Sequence, residues 1–112
     1  MEEGFPCKPY EVSYKFLESH THIYNYGVET FGYFQAERYS QKIDEVLETL
    51  PRFYTAYPEC RYITTKSRMY RNIILDSHLI IYRITEQRIE VLDIIHSASS
   101  IRKIRATRSI RL

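Results

Sequence analysis

Three side chains on predicted strands have the chemistry to hold an anion or move a proton: Arg71, Arg83 and His96. A guanidinium set in a strand can grip a phosphate or a partner's carboxylate through its planar fork of donors. Arg83 also has possible partners nearby, because Glu90 or Asp93 on the next predicted strand can pair with it across a sheet. His96 closes the last predicted strand, and imidazole is the side chain suited to proton transfer at neutral pH. A second group of cations ends the chain: Arg102, Lys103, Arg105, Arg108 and Arg111 follow Asp93 with no further acidic residue. The formal net charge is only +2, so this is a basic tail on a nearly neutral body. It reads either as a solvated, frayed end or as a surface that meets something acidic, nucleic acid or protein.

Other chemistry is poorly supported. Four histidines and two cysteines occur, but His20 and His22 have no third ligand at a suitable spacing, so neither a metal nor another cofactor is expected. Cys7 and Cys60 could pair, but two cysteines in a chain with a full apolar core are more often free thiols of a reducing cytoplasm. His20, beside Phe16 and Leu17, reads as a hydrogen-bonded structural histidine, Tyr82 as core packing, and His78 as a solvated turn residue. Segment 52–68 mixes Arg52, Arg61, Lys66 and Arg68 with Phe53, Tyr54, Tyr57 and Tyr62. Such a mixture can stack bases, but rings anchoring an ordered loop over the core edge are the commoner use.

The elements that must place these residues follow from periodicity. At 112 residues the chain is one domain, and 44% hydrophobic with 27% charged residues is ordinary for a globular protein. No apolar run approaches the ~20 residues of a membrane span, and Met1-Glu2-Glu3-Gly4 is acidic where a secretory leader would be basic. Tyr10, Val12, Tyr14 and Phe16 alternate with polar residues, the period of a half-buried strand. A first helix runs to Phe31, with Ser13 or Ser19 as its cap and Leu17, Tyr24, Val28 and Phe31 on one face. Gly27 inside it points to a close approach by another element, or to a kink, and Gly32 stops it. A second helix, about 33–50, carries Ala36, Tyr39, Ile43, Val46, Leu47 and Leu50 as its apolar stripe, with Pro51 as its end. So short a connection makes the two helices an antiparallel hairpin.

Three strands follow, joined at Asp76-Ser77 and Glu86-Gln87 by tight polar connections. Leu79-Ile80-Ile81-Tyr82-Arg83-Ile84 is apolar enough for a central strand covered on both faces. Alternation puts Ile89, Val91, Asp93 and Ile95 on one face of the last strand and Glu90, Leu92, Ile94 and His96 on the other. The fold class is therefore α+β: an N-terminal strand and a helical hairpin lying on one face of a sheet completed by a three-stranded antiparallel meander.

This order resembles the RelE/ParE superfamily of toxins from bacterial type II toxin–antitoxin modules, the plasmid-stabilisation proteins, and is closer to the ParE-like branch. Ile23-Tyr24-Asn25-Tyr26-Gly27-Val28-Glu29-Thr30-Phe31-Gly32 looks like the end of that family's first helix, and Ala36-Glu37-Arg38-Tyr39 like the opening of its second. The strand Leu79–Ile84 is similar to its central strand, and Ile89-Glu90-Val91-Leu92-Asp93-Ile94-Ile95-His96 to its last. The similarity covers about residues 10–97, and the chain reads as a toxin domain, 1–97, followed by a basic tail, 98–112.

The resemblance implies a cytoplasmic growth inhibitor without a membrane partner, held inactive by a cognate antitoxin whose flexible tail lies in the groove between hairpin and sheet. Operator DNA would be reached only through the antitoxin. RelE-like members cleave messenger RNA on the ribosome; ParE-like members lack that activity and are associated with inhibition of DNA gyrase. Cleavage through a 2′-hydroxyl needs a base, an acid and cations for the developing charge. RelE-like nucleases supply these from lysines on the second strand, an arginine opening the third and another just after the last. Here the third strand opens on His78, Ser97-Ala98-Ser99-Ser100 follows the last, and Arg71 is the only basic residue on the second. The expectation is a toxin acting by protein binding, through Arg83, Arg102, Lys103, Arg105 and Arg108. The alternatives are a ribonuclease built on Arg71, Arg83 and His96, and a non-toxic remnant that still binds an antitoxin.

Overall fold

Ser13 is where strand gives way to helix. In the computed structural model, which describes residues 7–112, its Oγ accepts the Phe16 amide at 2.9 Å and donates to the Leu92 carbonyl at 2.5 Å. That one hydroxyl caps a helix and pins its start to the sheet. The alternation from Tyr10 to Phe16 therefore misleads: strand β1 is only Tyr10–Val12, and helix α1 runs Tyr14–Phe31. Phe16 becomes the helix's core anchor, and burying its ring contributes about 3 kcal/mol. The reading of Met1-Glu2-Glu3-Gly4 as lacking a leader lies outside the described residues.

The expected face of α1 is also shifted by about a third of a turn. Leu17 is 48% exposed and Phe31 65%, whereas Phe16 and Ile23 pack inward. Seven-residue spacing from Leu17 cannot by itself distinguish that stripe from the one beginning at Phe16. Gly27 has the reason expected for it: a Cβ there would sit 3.3 Å from the Ala36 Cβ, so the helices of the hairpin touch at this point. Gly32, at φ 96°, makes the sharp connection into α2, Tyr33–Phe53. Ala36, Ile43, Leu47 and Leu50 are buried as the stripe requires. Pro51 does not end α2. It lies within the last turn, where one missing amide disturbs little of the helix behind it, and its carbonyl accepts the Lys8 amide at 3.1 Å.

Strands β2 (Tyr70–Leu75), β3 (His78–Ile84) and β4 (Ile89–His96) form the expected antiparallel meander. Its tight turn places Asp76 at φ 55°. β1 adds to β4 in parallel, giving the order β1-β4-β3-β2, a placement that periodicity could not supply. The faces of β4 differ from simple alternation. Ile81 pairs with Asp93 but Tyr82 pairs with Val91, so an extra residue is accommodated at a bulge and the parity flips. Ile89, Val91 and Ile94 pack with the hairpin-side core, while Leu92 and Ile95 join a second cluster on the other face.

That second cluster gives the end of the chain its structure. Helix α3, Ile101–Ala106, capped by Ser100, leads into a 3-10 turn, Thr107–Ser109, and inserts Ile104 against Ile81, Leu92 and Ile95. The segment is ordered against the sheet rather than frayed. Both faces of β3 are thus covered, as its unbroken apolar run requires.

Candidate functional site

Arg83 projects from β3 on the face opposite the helical hairpin, and internal partners surround its guanidinium. Nη2 lies 2.6 Å from Glu90 Oε1 and Nε donates to the same oxygen at 2.8 Å. Nη1 donates to Arg108 O at 3.2 Å and Tyr70 Oη at 3.4 Å, and Nη2 to Ile110 O at 3.0 Å. The other Glu90 oxygen accepts from Arg88, whose Nη1 reaches Glu11 on β1 at 3.0 Å. Burial alone would raise the Glu90 carboxyl, but the hydrogen bonds and charges of Arg83 and Arg88 outweigh it and hold the group below its ordinary value. Arg83 is a clamp: it holds the segment after α3 onto the sheet and presents no free fork to a ligand.

Arg71 is likewise engaged. It donates to Arg68 O at 3.0 Å, Thr55 O at 3.0 Å and Tyr57 O at 2.8 Å, and so holds the 52–68 segment in place. Three of the segment's rings anchor it as expected: Tyr54 is buried, its carbonyl accepting the Tyr82 hydroxyl at 2.7 Å, and Tyr57 and Tyr62 pack against the core, whereas Phe53 ends α2 and is 51% exposed. Register puts Arg71 opposite Tyr82 and Arg83 opposite Tyr70, so the two arginines leave opposite faces of the sheet.

His96 is elsewhere. It faces His78 at the far end of β3, five residues from Arg83, a separation of about 16 Å along the strand. Its Nδ1 accepts the Ala98 amide at 3.0 Å, and its ring meets that of His78 edge-on with centroids 5.6 Å apart. Arg71, Arg83 and His96 do not converge, and among the described residues no group of three potential metal ligands does either.

What does converge is a cleft of about 950 Å³ between the hairpin and the end of the sheet. All four histidines of the chain line it: His20 and His22 from α1, His78 from β3 and His96 from β4. His20 Nε2 meets Ser40 Oγ at 3.1 Å, the structural bond expected of it. His78 is not a solvated turn residue. It opens β3, and its Nδ1 lies 2.8 Å from the Tyr39 hydroxyl, which also reaches Leu75 O at 3.0 Å. Burial, then the charge of Asp76, pushes that hydroxyl up to about 12, so it serves as a hydrogen-bonding group and not as a base. Burial first and His96 second lower the His78 imidazole, against a smaller opposing effect of Asp76. The cleft therefore favours neutral His78. His78 could have been singled out from the antiparallel pairing of β3 and β4, which sets the start of β3 beside the end of β4. Tyr39 could not, since it arrives from α2.

Arg102, Lys103, Arg105 and Arg108 lie away from the cleft, exposed on α3 and its 3-10 turn. Only the backbone of Arg108 meets Arg83; their side chains serve different surfaces.

This architecture has known relatives. A family model described as the ParE toxin of the type II toxin–antitoxin system parDE matches residues 10–101. The chain belongs to the ParE toxin family. Among solved structures it resembles the chromosomal ParDE toxin–antitoxin system from P. aeruginosa, with a TM-score of 0.68 at 18% identity, covering 80% of this chain and 96% of that one. At that identity the likeness shows the fold. No curated protein matches the sequence. Members of the ParE family are the toxin halves of type II pairs and work with a cognate antitoxin. Among the described residues no helix is long and apolar enough to cross a membrane.

Proposed function

We propose that this ParE-family chain arrests growth from the cytoplasm by binding a protein target, DNA gyrase, and that a cognate antitoxin neutralises it. The observation that carries this reading is the engagement of Arg83 and Arg71 by internal partners, with His96 at the other end of the sheet. A phosphodiester-cleaving site needs free cations beside an acid and a base, and Arg71, Arg83 and His96 do not come together to form one. The exposed cations of α3 and its 3-10 turn supply the target contact instead. The cleft between hairpin and sheet takes the antitoxin's flexible tail, which orders on binding, and operator recognition belongs to the antitoxin.

Expression of the chain alone should halt growth and stall DNA replication, and purified chain should inhibit gyrase-dependent supercoiling. Co-expression with the antitoxin should restore growth. Normal growth at high expression, with a tight antitoxin complex still formed, would instead mark a non-toxic binding module. Cleavage of messenger RNA in a mixture of ribosomes and purified chain would overturn the protein-binding mechanism in favour of a ribonuclease.

A further inference from the structure

The ordering of the chain's basic end has a chemical consequence. Because Ile104 and Thr107 are buried, α3 turns Arg102 and Arg105 outward, three residues apart on one side. Arg105 Nε donates to Tyr62 O at 3.2 Å, which ties α3 to the preceding loop, and the Arg61 guanidinium lies 5.3 Å from the centre of the Tyr62 ring. Lys103 flanks this row, and Arg108 follows with its carbonyl held by Arg83. Among the described residues none of Arg61, Arg102, Lys103, Arg105, Arg108 and Arg111 forms an ion pair. The opposite is true of Arg83 and Arg88, which share Glu90. These outer cations stand on a backbone ordered by the fold, and none lies within ion-pair distance of a carboxylate, although the charge of Lys103 reaches Asp93; a surface already ordered favours binding.

We propose that this arginine-rich face binds the phosphate backbone of duplex DNA without reading its sequence. Four of the five cations after Asp93 are arginines, whose fork of donors matches phosphate oxygens. A duplex presents a negative charge every ~1.7 Å of its axis, a density that an unpaired cationic surface meets by displacing condensed counterions. A single strand is the poorer occupant. Its binding draws on open aromatic platforms, and Arg61 already lies against Tyr62. Backbone contacts carry no sequence information, so operator recognition stays with the antitoxin. As an account of the target contact the inference rests on the proposed function, because a toxin acting on a DNA-bound protein would hold both components. The binding of DNA by the chain alone does not depend on that reading.

The test is fluorescence anisotropy of purified full-length chain with a labelled duplex of about 20 base pairs, at two salt concentrations. If about four cations engage, affinity should fall about 100-fold between ~50 and ~200 mM salt; with Arg102→Gln and Arg105→Gln together, the fall should shrink to about 10-fold. Both side chains are exposed, and an unchanged thermal melt of the double variant would confirm its fold. Absence of binding at the lower salt, or an unchanged salt dependence in the folded double variant, overturns the proposal. So does tighter binding of a single-stranded RNA of equal length, or displacement of the duplex by a lower charge concentration of polyglutamate, which would point to an acidic protein partner. Growth arrest is scored separately. Arrest without duplex binding removes this inference alone, and duplex binding without arrest removes only the proposed function.

Discussion

Replacing Arg83 with alanine tests whether it is a clamp or a contact residue. The pair is enclosed, with the Arg83 side chain 8% exposed and that of Glu90 11%. Removing one member of such a pair strands the other charge, which costs about 3–5 kcal/mol. Arg88 still reaches the second Glu90 oxygen, which favours the lower end, while the carbonyls of Arg108 and Ile110 lose a donor near enough to water to add less than about 1 kcal/mol. A total of about 3–4 kcal/mol in a domain of this size corresponds to a fall in Tm of about 12–16 °C. Thermal melts followed by circular dichroism at neutral pH measure it directly. Acid supplies a second arm. In the parent chain Glu90 titrates below its ordinary value of 4.5, so the stability it contributes is fully present above that value and is lost as pH falls through the lower folded value. Arg83→Ala removes much of the cause, so parent and variant should converge in stability in acid. A variant melting within about 3 °C of the parent at neutral pH, but unable to arrest growth, would refute the clamp and make Arg83 a contact residue.

Ser13→Ala removes both the α1 cap and the bond to Leu92 O, and a urea midpoint should report a loss of about 1–3 kcal/mol. Gly27→Ala crowds the Ala36 Cβ by a few tenths of an ångström; its helix-propensity gain of about 1 kcal/mol should leave net stability nearly unchanged. Gly27→Leu should force the hairpin apart and cost about 1–3 kcal/mol in the same assay. His78 titrates below its ordinary value of 6.5, so the folded chain should lose stability as pH falls from 6.5 toward the lower folded value. His78→Gln should flatten that part of the pH profile of Tm, and an unchanged slope would show that His78 is not buried as described.

The sequence alone determined the order and kind of the elements from β1 to β4, because these depend on local regularities, whereas α3 and its 3-10 turn formed where only a basic tail was legible. Stripes at helical spacing, Gly32 and the short polar turns each act within a few residues, while the choice of Ser13 over Ser19 as the α1 cap came only with the structure. The ParE-family fold was legible for that reason, and so was the close approach at Gly27. The site was less legible, because its facts are pairings between distant segments. Which of Tyr14 and Phe16 turns inward depends on the Ser13 bond to Leu92, 79 residues away. The faces of β4 depend on a bulge against β3, and Pro51 stays helical with its carbonyl bonded to the amide of Lys8. Whether Arg83 was free or held could be settled only by the carbonyls of Arg108 and Ile110 and the carboxylate of Glu90 meeting around it. Likewise four histidines scattered from position 20 to position 96 became lining of one cleft only through packing. Local sequence specifies backbone conformation over a few residues; burial and charge pairing are properties of the whole packed chain.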